Sequence, residues 1–152
     1  MLLIWWEEIM NTDRIAALIK IASIEFDKMA NPILAEYSLT SSQCRVLKFL
    51  YMQKKQTARI VDIEKECAIT HPTVLRLLGN LEEKGFIIKT VNPEDSRSKL
   101  VTLTEKAKAI QSELENVVER LDTAWVEGLT KEERKELQRL LLKILRIERE
   151  AK

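Results

Sequence analysis

Through most of this chain apolar residues recur at intervals of three and four, the spacing of one face of an α-helix. The pattern runs through five segments, near residues 12–36, 40–51, 70–84, 104–128 and 130–145, with a shorter one at 60–67. Only three glycines and three prolines interrupt the 152 residues, too few for the frequent turns of a β-sandwich or barrel. The sequence therefore predicts a mainly α-helical fold, as one domain or two small linked lobes.

Several classes of function lack the residues that they need. The chain has a single histidine, His71, and neither a GxGxxG nor a GxxxxGK[ST] motif. Nucleophilic triads, dinucleotide binding and nucleotide hydrolysis each depend on one of these features. A lone histidine is also a poor nucleus for a zinc site. We therefore expect no enzymatic activity, no catalytic residue, no cofactor and no metal site.

The two cysteines, Cys44 and Cys67, are too few for a disulfide framework, and neither lies in a CxxC motif. Both fall at or near apolar positions of predicted helices, which favours small buried side chains over a redox role. Reduced thiols indicate a cytoplasmic protein. The apolar start, Met1 to Met10 with Trp5 and Trp6, lacks the basic flank of a signal peptide. We expect this start to pack on protein, as an extra contact or as a lid, unless it is an artefact of cloning.

The middle third combines helices with a β-hairpin. Thr40 and Gln43 form a capping box that opens one helix, and a short helix follows at residues 60–67. A tight connection leads to a third helix, whose inward stripe ends at Gly85. Strands at 86–91 and 99–103 flank a seven-residue polar tip. This order is that of a winged helix-turn-helix with one two-stranded wing, and residues 38–103 also hold 11 basic against 7 acidic side chains.

The third helix, about residues 70–84, is the predicted recognition helix for the major groove of DNA. Its inward stripe would be Val74, Leu77, Leu78 and Leu81. Arginine can bond guanine and asparagine can bond adenine in bidentate fashion, and threonine can bond a phosphate. The plain alternative is an ordinary solvated face. The candidate DNA-binding residues on the opposite face are Thr70, His71, Pro72, Thr73, Arg76 and Asn80.

The hairpin tip, about residues 92–99, is the second candidate contact. An arginine at a loop tip suits the negative potential of a narrow minor groove, and the flanking backbone is the other target. Asp95 lies two residues before Arg97, so we expect its carboxylate to hold the guanidinium in an extended pose. The candidate DNA-binding residues of the wing are Asp95, Arg97, Ser98 and Lys99.

Three motifs in order resemble the MarR family of bacterial and archaeal transcription regulators. The segment from Asp95 to Thr104 is similar to the family's DxR wing signature and the LT opening of the next helix. Leu81 to Gly85 resembles the end of its recognition helix, and Leu129 to Glu133 the start of its last helix. The resemblance extends from about residue 12 to 149.

This resemblance implies a homodimeric regulator, commonly a repressor, that binds a pseudo-palindromic operator in double-stranded DNA. Residues 1–37 and 104–152 would form a helical dimerisation region, and 38–103 the winged DNA-binding lobe. The sequence supports a partner independently, because the first helix is apolar on two faces and Ala107 to Ala124 follow a short heptad spacing. Packing of these helices within one chain is the alternative.

Regulators of this type often bind a small aromatic or lipophilic effector between the dimer helices and the winged lobe. Phe26, Tyr37 and Tyr51 are candidates to line such a site, although core packing explains them as well. A different class of function also fits the sequence, a winged-helix module that binds another protein without specific DNA binding. Salt dependence separates the two, because binding to phosphates weakens steeply as salt is added.

Overall fold

The computed structural model of the chain describes residues 14–146. Over this range it is mainly helical with one small sheet, as the sequence predicts. The elements are α1 (Ile15–Leu34), α2 (Ser41–Tyr51), β1 (Thr57–Arg59), α3 (Ile60–Cys67), α4 (His71–Glu83), β2 (Ile87–Asn92), β3 (Asp95–Leu103), α5 (Glu105–Ala109), α6 (Gln111–Trp125) and α7 (Lys131–Ile144). The apolar extension Met1 to Met10 lies outside the described residues.

Threonines cap three of the helices, and the first of them is the capping box predicted at Thr40. The Thr40 hydroxyl accepts from the Gln43 amide at 3.3 Å, and the Gln43 side chain accepts from the Thr40 amide at 3.1 Å. Thr130 and Glu133 form the same reciprocal pair before α7. Thr104 accepts from the Ala107 amide and opens α5. Each bond satisfies an amide that the first helical turn leaves without a partner.

The wing is a sheet of three antiparallel strands, not of two, in the order β1-β3-β2. The added strand, β1, pairs Thr57 with Thr102, and the two threonine hydroxyls lie 2.9 Å apart. On the other side of β3, the strand β2 pairs Ile87 with Leu103. The sequence analysis missed β1 because it is three residues long and its partner lies far along the chain.

The predicted seven-residue tip of the wing is wrong. Asn92 already pairs with Asp95, so only Pro93 and Glu94 form the turn. The register then shifts, because Val91 pairs with Lys99, and residues 96–98 bulge from β3. The side-chain oxygen of Asn92 accepts a hydrogen bond from the Glu94 amide at 3.0 Å, which stabilises the tight turn.

The core lies between α2, α3, α4 and the sheet. It is built from the C-terminal half of α1, the inward stripes of the next three helices and the inner residues of β2 and β3. Its largest fully buried side chains are Phe86, Leu34, Leu47, Leu50, Ile63, Leu78, Leu81, Ile87, Val46, Val74 and Val101. The inward stripe predicted for the recognition helix is thereby confirmed.

The single long helix predicted after Thr104 is interrupted. Ile110, with φ −98° and ψ 0°, separates α5 from α6. The Tyr51 hydroxyl donates to the Ala107 carbonyl at 2.7 Å, the group that would accept the Gln111 amide in an unbroken helix. The side chain of Gln56 also contacts that of Gln111. These contacts from distant residues coincide with the break, and the local spacing gave no sign of them.

The chain divides into two compact units, one ending at Glu113 and the other beginning at Leu114. In the first unit, the apolar stripe at the start of α1 is uncovered: Ile15, Leu18 and Ile19 are each at least 40% exposed. In the second unit, no described residue of α7 is buried. The apolar residues that recur along the predicted last helix are therefore not buried within one chain, since Leu137, Leu140, Ile144 and Leu145 are exposed.

The division predicted from the sequence, with residues 1–37 joined functionally to 104–152, concerns a role in dimerisation and stays a prediction. Between residues 14 and 146, no helix is long and apolar enough to cross a bilayer.

Candidate nucleic-acid interface

Helix α4 has one buried face and one polar face. Val74, Leu77, Leu78 and Leu81 are at most 4% exposed and fix the helix on the core. Of the predicted contact residues on α4, Thr73 and Asn80 are half-buried. The other four predicted contact residues are exposed: Thr70, His71, Pro72 and Arg76. The structure thus brings the predicted α4 set to one side of a rigid helix, while its role in DNA binding stays a prediction.

The turn before α4 is held by backbone geometry. Ala68 ends α3 in the left-handed region, with φ 51°, and the Ile69 amide donates to the Glu64 carbonyl at 3.1 Å. Thr70 occupies the N-cap position of α4 but makes no side-chain cap. Its hydroxyl instead contacts the Thr73 hydroxyl at 3.0 Å. This pair can present at least one hydroxyl donor or acceptor outward.

His71 has a partner that sequence reasoning missed. Its Nδ1 contacts a carboxylate oxygen of Glu64, from the preceding helix α3. The Glu64 side chain is 23% exposed and that of His71 is 63% exposed. The signal available in the sequence was the spacing of seven residues across a tight helix-turn-helix connection, which places the last turn of α3 beside the first turn of α4.

The far end of α4 is fixed by two lysines. Gly85, at φ +78°, follows the C-cap residue Lys84, and the Phe86 amide donates to the Leu81 carbonyl at 2.9 Å, so the predicted glycine stop is confirmed. Lys84 Nζ donates to the Ser38 carbonyl at 2.7 Å and to the side-chain oxygen of Gln43 at 3.1 Å. Lys106 Nζ donates to the Lys84 carbonyl at 2.6 Å and lies 4.5 Å from the centre of the Phe86 ring.

The tip of the wing is fixed by its own polar side chains. Ser98 Oγ donates to the Asp95 carbonyl at 3.1 Å and accepts from Asn92 Nδ2 at 3.0 Å. Asn92 is buried, whereas Asp95, Arg97 and Lys99 are exposed. Ser98, predicted to contact DNA, is half-buried and is therefore part of the support of the bulge.

Asp95 does not hold the Arg97 guanidinium as expected from the sequence. Its Oδ1 accepts from the backbone amide of Arg97 at 3.0 Å, and the ion pairs found between residues 14 and 146 do not include these two side chains. A carboxylate two residues before an amide closes this local turn readily. Asp95 thus shapes the backbone that carries Arg97, whose side chain is exposed.

Two ion pairs hold the sheet and α3 near this surface. Lys89 Nζ on β2 lies 2.8 Å from a carboxylate oxygen of Glu82 on α4, and this hydrogen bond lowers the pKa of Glu82. Arg59 contacts both carboxylate oxygens of Asp62 at 2.8 Å, and the bidentate bond lowers the pKa of that carboxyl group. Both pairs are at least partly open to solvent, Lys89 least with 22% of its side chain exposed, so their effect on stability is small.

The three residues predicted to bind an effector lie half-buried in the first unit. The Tyr37 hydroxyl donates to Glu113 Oε1 at 2.8 Å, and the Tyr51 hydroxyl donates to the Ala107 carbonyl at 2.7 Å. Both tyrosines therefore contact the stretch from α5 to the first turn of α6. Phe26 lies on α1. An effector role for the three residues stays a prediction.

The two cysteines are buried as expected. Cys44 is 5% exposed and Cys67 is 2% exposed. Burial raises the pKa of the Cys44 thiol to about 12 and also raises that of Cys67. A thiol with a raised pKa is a poor nucleophile at neutral pH.

Comparison with known proteins places this arrangement in context. A family model described as "Transcriptional regulator SarA/Rot" matches residues 28–114, which include α2, α3, α4 and the whole wing. This range holds all of the residues predicted to contact DNA.

Solved structures of MarR-type regulators have the same fold. A mutant of MarR from E. coli, crystallised with operator DNA, is 27% identical over 88% of this chain and 94% of that chain, with a TM-score of 0.79. MepR from S. aureus, in a DNA complex, is 28% identical over 88% of this chain and 98% of its own, also with a TM-score of 0.79. BpsR from Bordetella bronchiseptica, whose DNA binding is regulated by 6-hydroxynicotinic acid, is 26% identical over 87% of this chain and 98% of its own, with a TM-score of 0.78.

Proposed function

Because the chain belongs to the SarA/Rot family of transcriptional regulators and has the MarR-type winged-helix fold, we propose that it binds operator DNA as a homodimer. In this proposal α4 enters the major groove and the wing contacts the minor groove or the flanking backbone. The comparisons favour a DNA-binding regulator over the alternative, a winged-helix module that binds another protein.

The observation that carries the proposal is the division of α4 into a buried apolar face and an exposed polar face. Thr70, His71 and Arg76 are exposed, and the buried stripe fixes the helix from behind. A recognition helix needs this combination, because side chains read base edges only when the helix that carries them is rigid. The wing tip adds Arg97 on a bulge with fixed geometry, and Lys99 on the paired strand next to the bulge.

Two uncovered apolar stripes support the homodimer. One lies at the start of α1 and includes Ile15 and Leu18, and the other lies on α7 and includes Leu140 and Ile144. Regular apolar stripes on helices are typical of surfaces that another helix covers. A second copy of the chain is the partner that two-fold symmetric operators require.

We further propose that a small aromatic or lipophilic anion regulates DNA binding. The support is the relative BpsR, which responds to an aromatic acid, and the placement of Tyr37 and Tyr51 against the stretch from Ala107 to Glu113. A ligand that displaced either tyrosine hydroxyl would loosen the contacts of this stretch with α2 and the turn after α1.

The remaining parts of the proposal follow from the family. The relatives found are transcriptional regulators and not enzymes, and we propose that this chain likewise has no catalytic activity. We propose a cytoplasmic location, and repression as the outcome of operator binding.

The proposal is tested by selecting bound sequences from a pool of random duplex DNA. We expect a two-fold symmetric consensus whose half-sites lie about one helical turn apart, bound by two chains per duplex. Sedimentation equilibrium should give twice the 17.7 kDa mass of one chain before DNA is added. A monomer that selects no consensus would contradict the proposal.

A further inference from the structure

We propose that Glu64 is a positioning residue for DNA recognition, which fixes the ring of His71 so that Nε2 is the atom that contacts DNA. This inference rests on the proposed function, since it assigns a role within the α4 surface. It adds a residue of α3, outside the recognition helix, to the set that determines sequence preference.

The chemistry of the pair determines which ring nitrogen carries the proton. An ionised carboxylate only accepts hydrogen bonds, so the Nδ1 that contacts Glu64 must carry the hydrogen. Nε2 is then an acceptor in the neutral ring and a donor in the protonated ring. In both forms Nδ1 is occupied by Glu64, and Nε2 has no hydrogen bond to any other residue between 14 and 146.

The backbone of Glu64 is fixed by the turn into α4. The Glu64 carbonyl accepts the Ile69 amide at 3.1 Å, so the residue that binds the ring also closes the turn into α4. Its side chain is only 23% exposed, whereas that of His71 is 63% exposed. The more buried partner therefore orients the more exposed one, and a fixed ring loses less conformational entropy on binding.

The position of His71 makes this orientation relevant to sequence reading. It is the first residue of α4, and the first residues of a recognition helix approach the base edges most closely. Nε2 as an acceptor matches the amino group of cytosine or adenine, and as a donor it matches guanine. A freely rotating ring would present either nitrogen and would discriminate less well.

Two substitutions of His71 separate its nitrogens. The amide of glutamine in His71→Gln reaches about the position of Nε2, whereas the shorter amide in His71→Asn reaches about that of Nδ1. The measured quantity is the ratio of affinities for the selected operator and for random duplex DNA. We expect His71→Gln to keep most of this ratio and His71→Asn to lower it about tenfold, the effect of one lost hydrogen bond.

Glu64 is tested in the same assay. Glu64→Ala should lower the ratio of operator to random-DNA affinity about tenfold. Glu64→Gln keeps an acceptor for Nδ1 and should keep most of the ratio. Glu66→Ala is the matched control, because it removes the same charge from an exposed position two residues along α3. The control should raise affinity for all DNA slightly, through weaker repulsion of phosphate, and leave the ratio unchanged.

The decisive comparison is the double variant Glu64→Ala with His71→Ala. If Glu64 acts through the ring, the double variant discriminates no worse than His71→Ala alone. The inference would be overturned if adding Glu64→Ala to His71→Ala lowered the ratio by as much again as Glu64→Ala does alone. An unchanged ratio in His71→Asn would also overturn it. If the unsubstituted protein binds no DNA selectively, the proposed function itself fails, and that result is distinct from either outcome. Thermal unfolding of each variant verifies that the fold is kept.

Discussion

The carboxylate of Asp95 accepts a hydrogen bond from the backbone amide of Arg97, with Oδ1 and the amide nitrogen 3.0 Å apart. The contact closes the bulge at residues 96–98 and leaves the Arg97 side chain exposed. The presence of an acidic residue close to the proposed DNA surface is thereby explained by the hydrogen bond that its oxygen makes with the backbone. It follows that the oxygen matters for this role and the charge does not.

This distinction predicts different results for two substitutions of Asp95. Asp95→Asn keeps an oxygen that can accept the Arg97 amide and removes a charge that repels phosphate, so DNA affinity should stay the same or increase. Asp95→Ala removes the acceptor and should weaken binding, less than Arg97→Ala does. Anisotropy titrations of the three variants test this, and weaker binding by Asp95→Asn than by Asp95→Ala would contradict it.

Arg97→Ala provides the reference for a phosphate or minor-groove contact. We expect weaker binding to all sequences. The slope of the logarithm of affinity against the logarithm of salt concentration should be smaller in magnitude by about one. Arg120→Ala, which removes an exposed arginine of α6 far along the chain, is the control and should change the slope less.

Arg76→Ala should change sequence preference as well as affinity. Arg76 is exposed on the polar face of α4, and a bidentate bond to guanine contributes about 1–3 kcal/mol of discrimination. The measurement is repeated selection from random DNA with the variant. If the consensus of the variant keeps every guanine preference of the unsubstituted protein, the assignment of Arg76 as a base contact is contradicted.

Two glycines of the winged lobe should respond oppositely to alanine. Gly85 has φ +78°, so Gly85→Ala should cost about 1–2 kcal/mol of unfolding free energy, although its added Cβ meets only Lys106 Cδ at 3.9 Å. Gly79 lies inside α4 with nothing within 4 Å of an added Cβ. Gly79→Ala should therefore stabilise the protein by about 0.5–1 kcal/mol. Urea unfolding measures both values, and equal signs would contradict the prediction.

The uncovered stripe on α7 predicts how the proposed dimer would be broken. Leu140 is 42% exposed in the single chain, and Leu140→Glu would bury a charge in the proposed interface. We expect this variant to sediment as a monomer at concentrations where the unsubstituted protein is a dimer. Lys135→Gln makes the net charge more negative by the same one unit on the opposite side of α7, where Lys135 is exposed, and should leave the dimer intact. Dissociation of both variants or of neither would contradict the assignment of this stripe.

Much of the fold was predictable because it depends on local chemistry. Thr40 with Gln43 and Thr130 with Glu133 form capping boxes from residues three apart, and Gly85 ends α4 through its own backbone freedom. Such signals need no knowledge of distant residues.

The features that the sequence did not predict depend on contacts between distant segments. Pairing of Thr57 with Thr102 creates β1, and the Tyr51 contact with Ala107 accompanies the break at Ile110. At the candidate site the residue types on α4 were recognisable from helical spacing. The partner of His71 was not, because Glu64 belongs to another helix and its position depends on the turn at Ala68.

The central claim is that α4 and the wing bind DNA directly and selectively. It is tested most directly by an anisotropy titration against the duplex immediately upstream of the coding region, at two salt concentrations and with excess random DNA. We predict saturable binding that survives the competitor and weakens steeply with salt. Absence of binding at low salt would contradict the claim and favour the alternative of a protein-binding module.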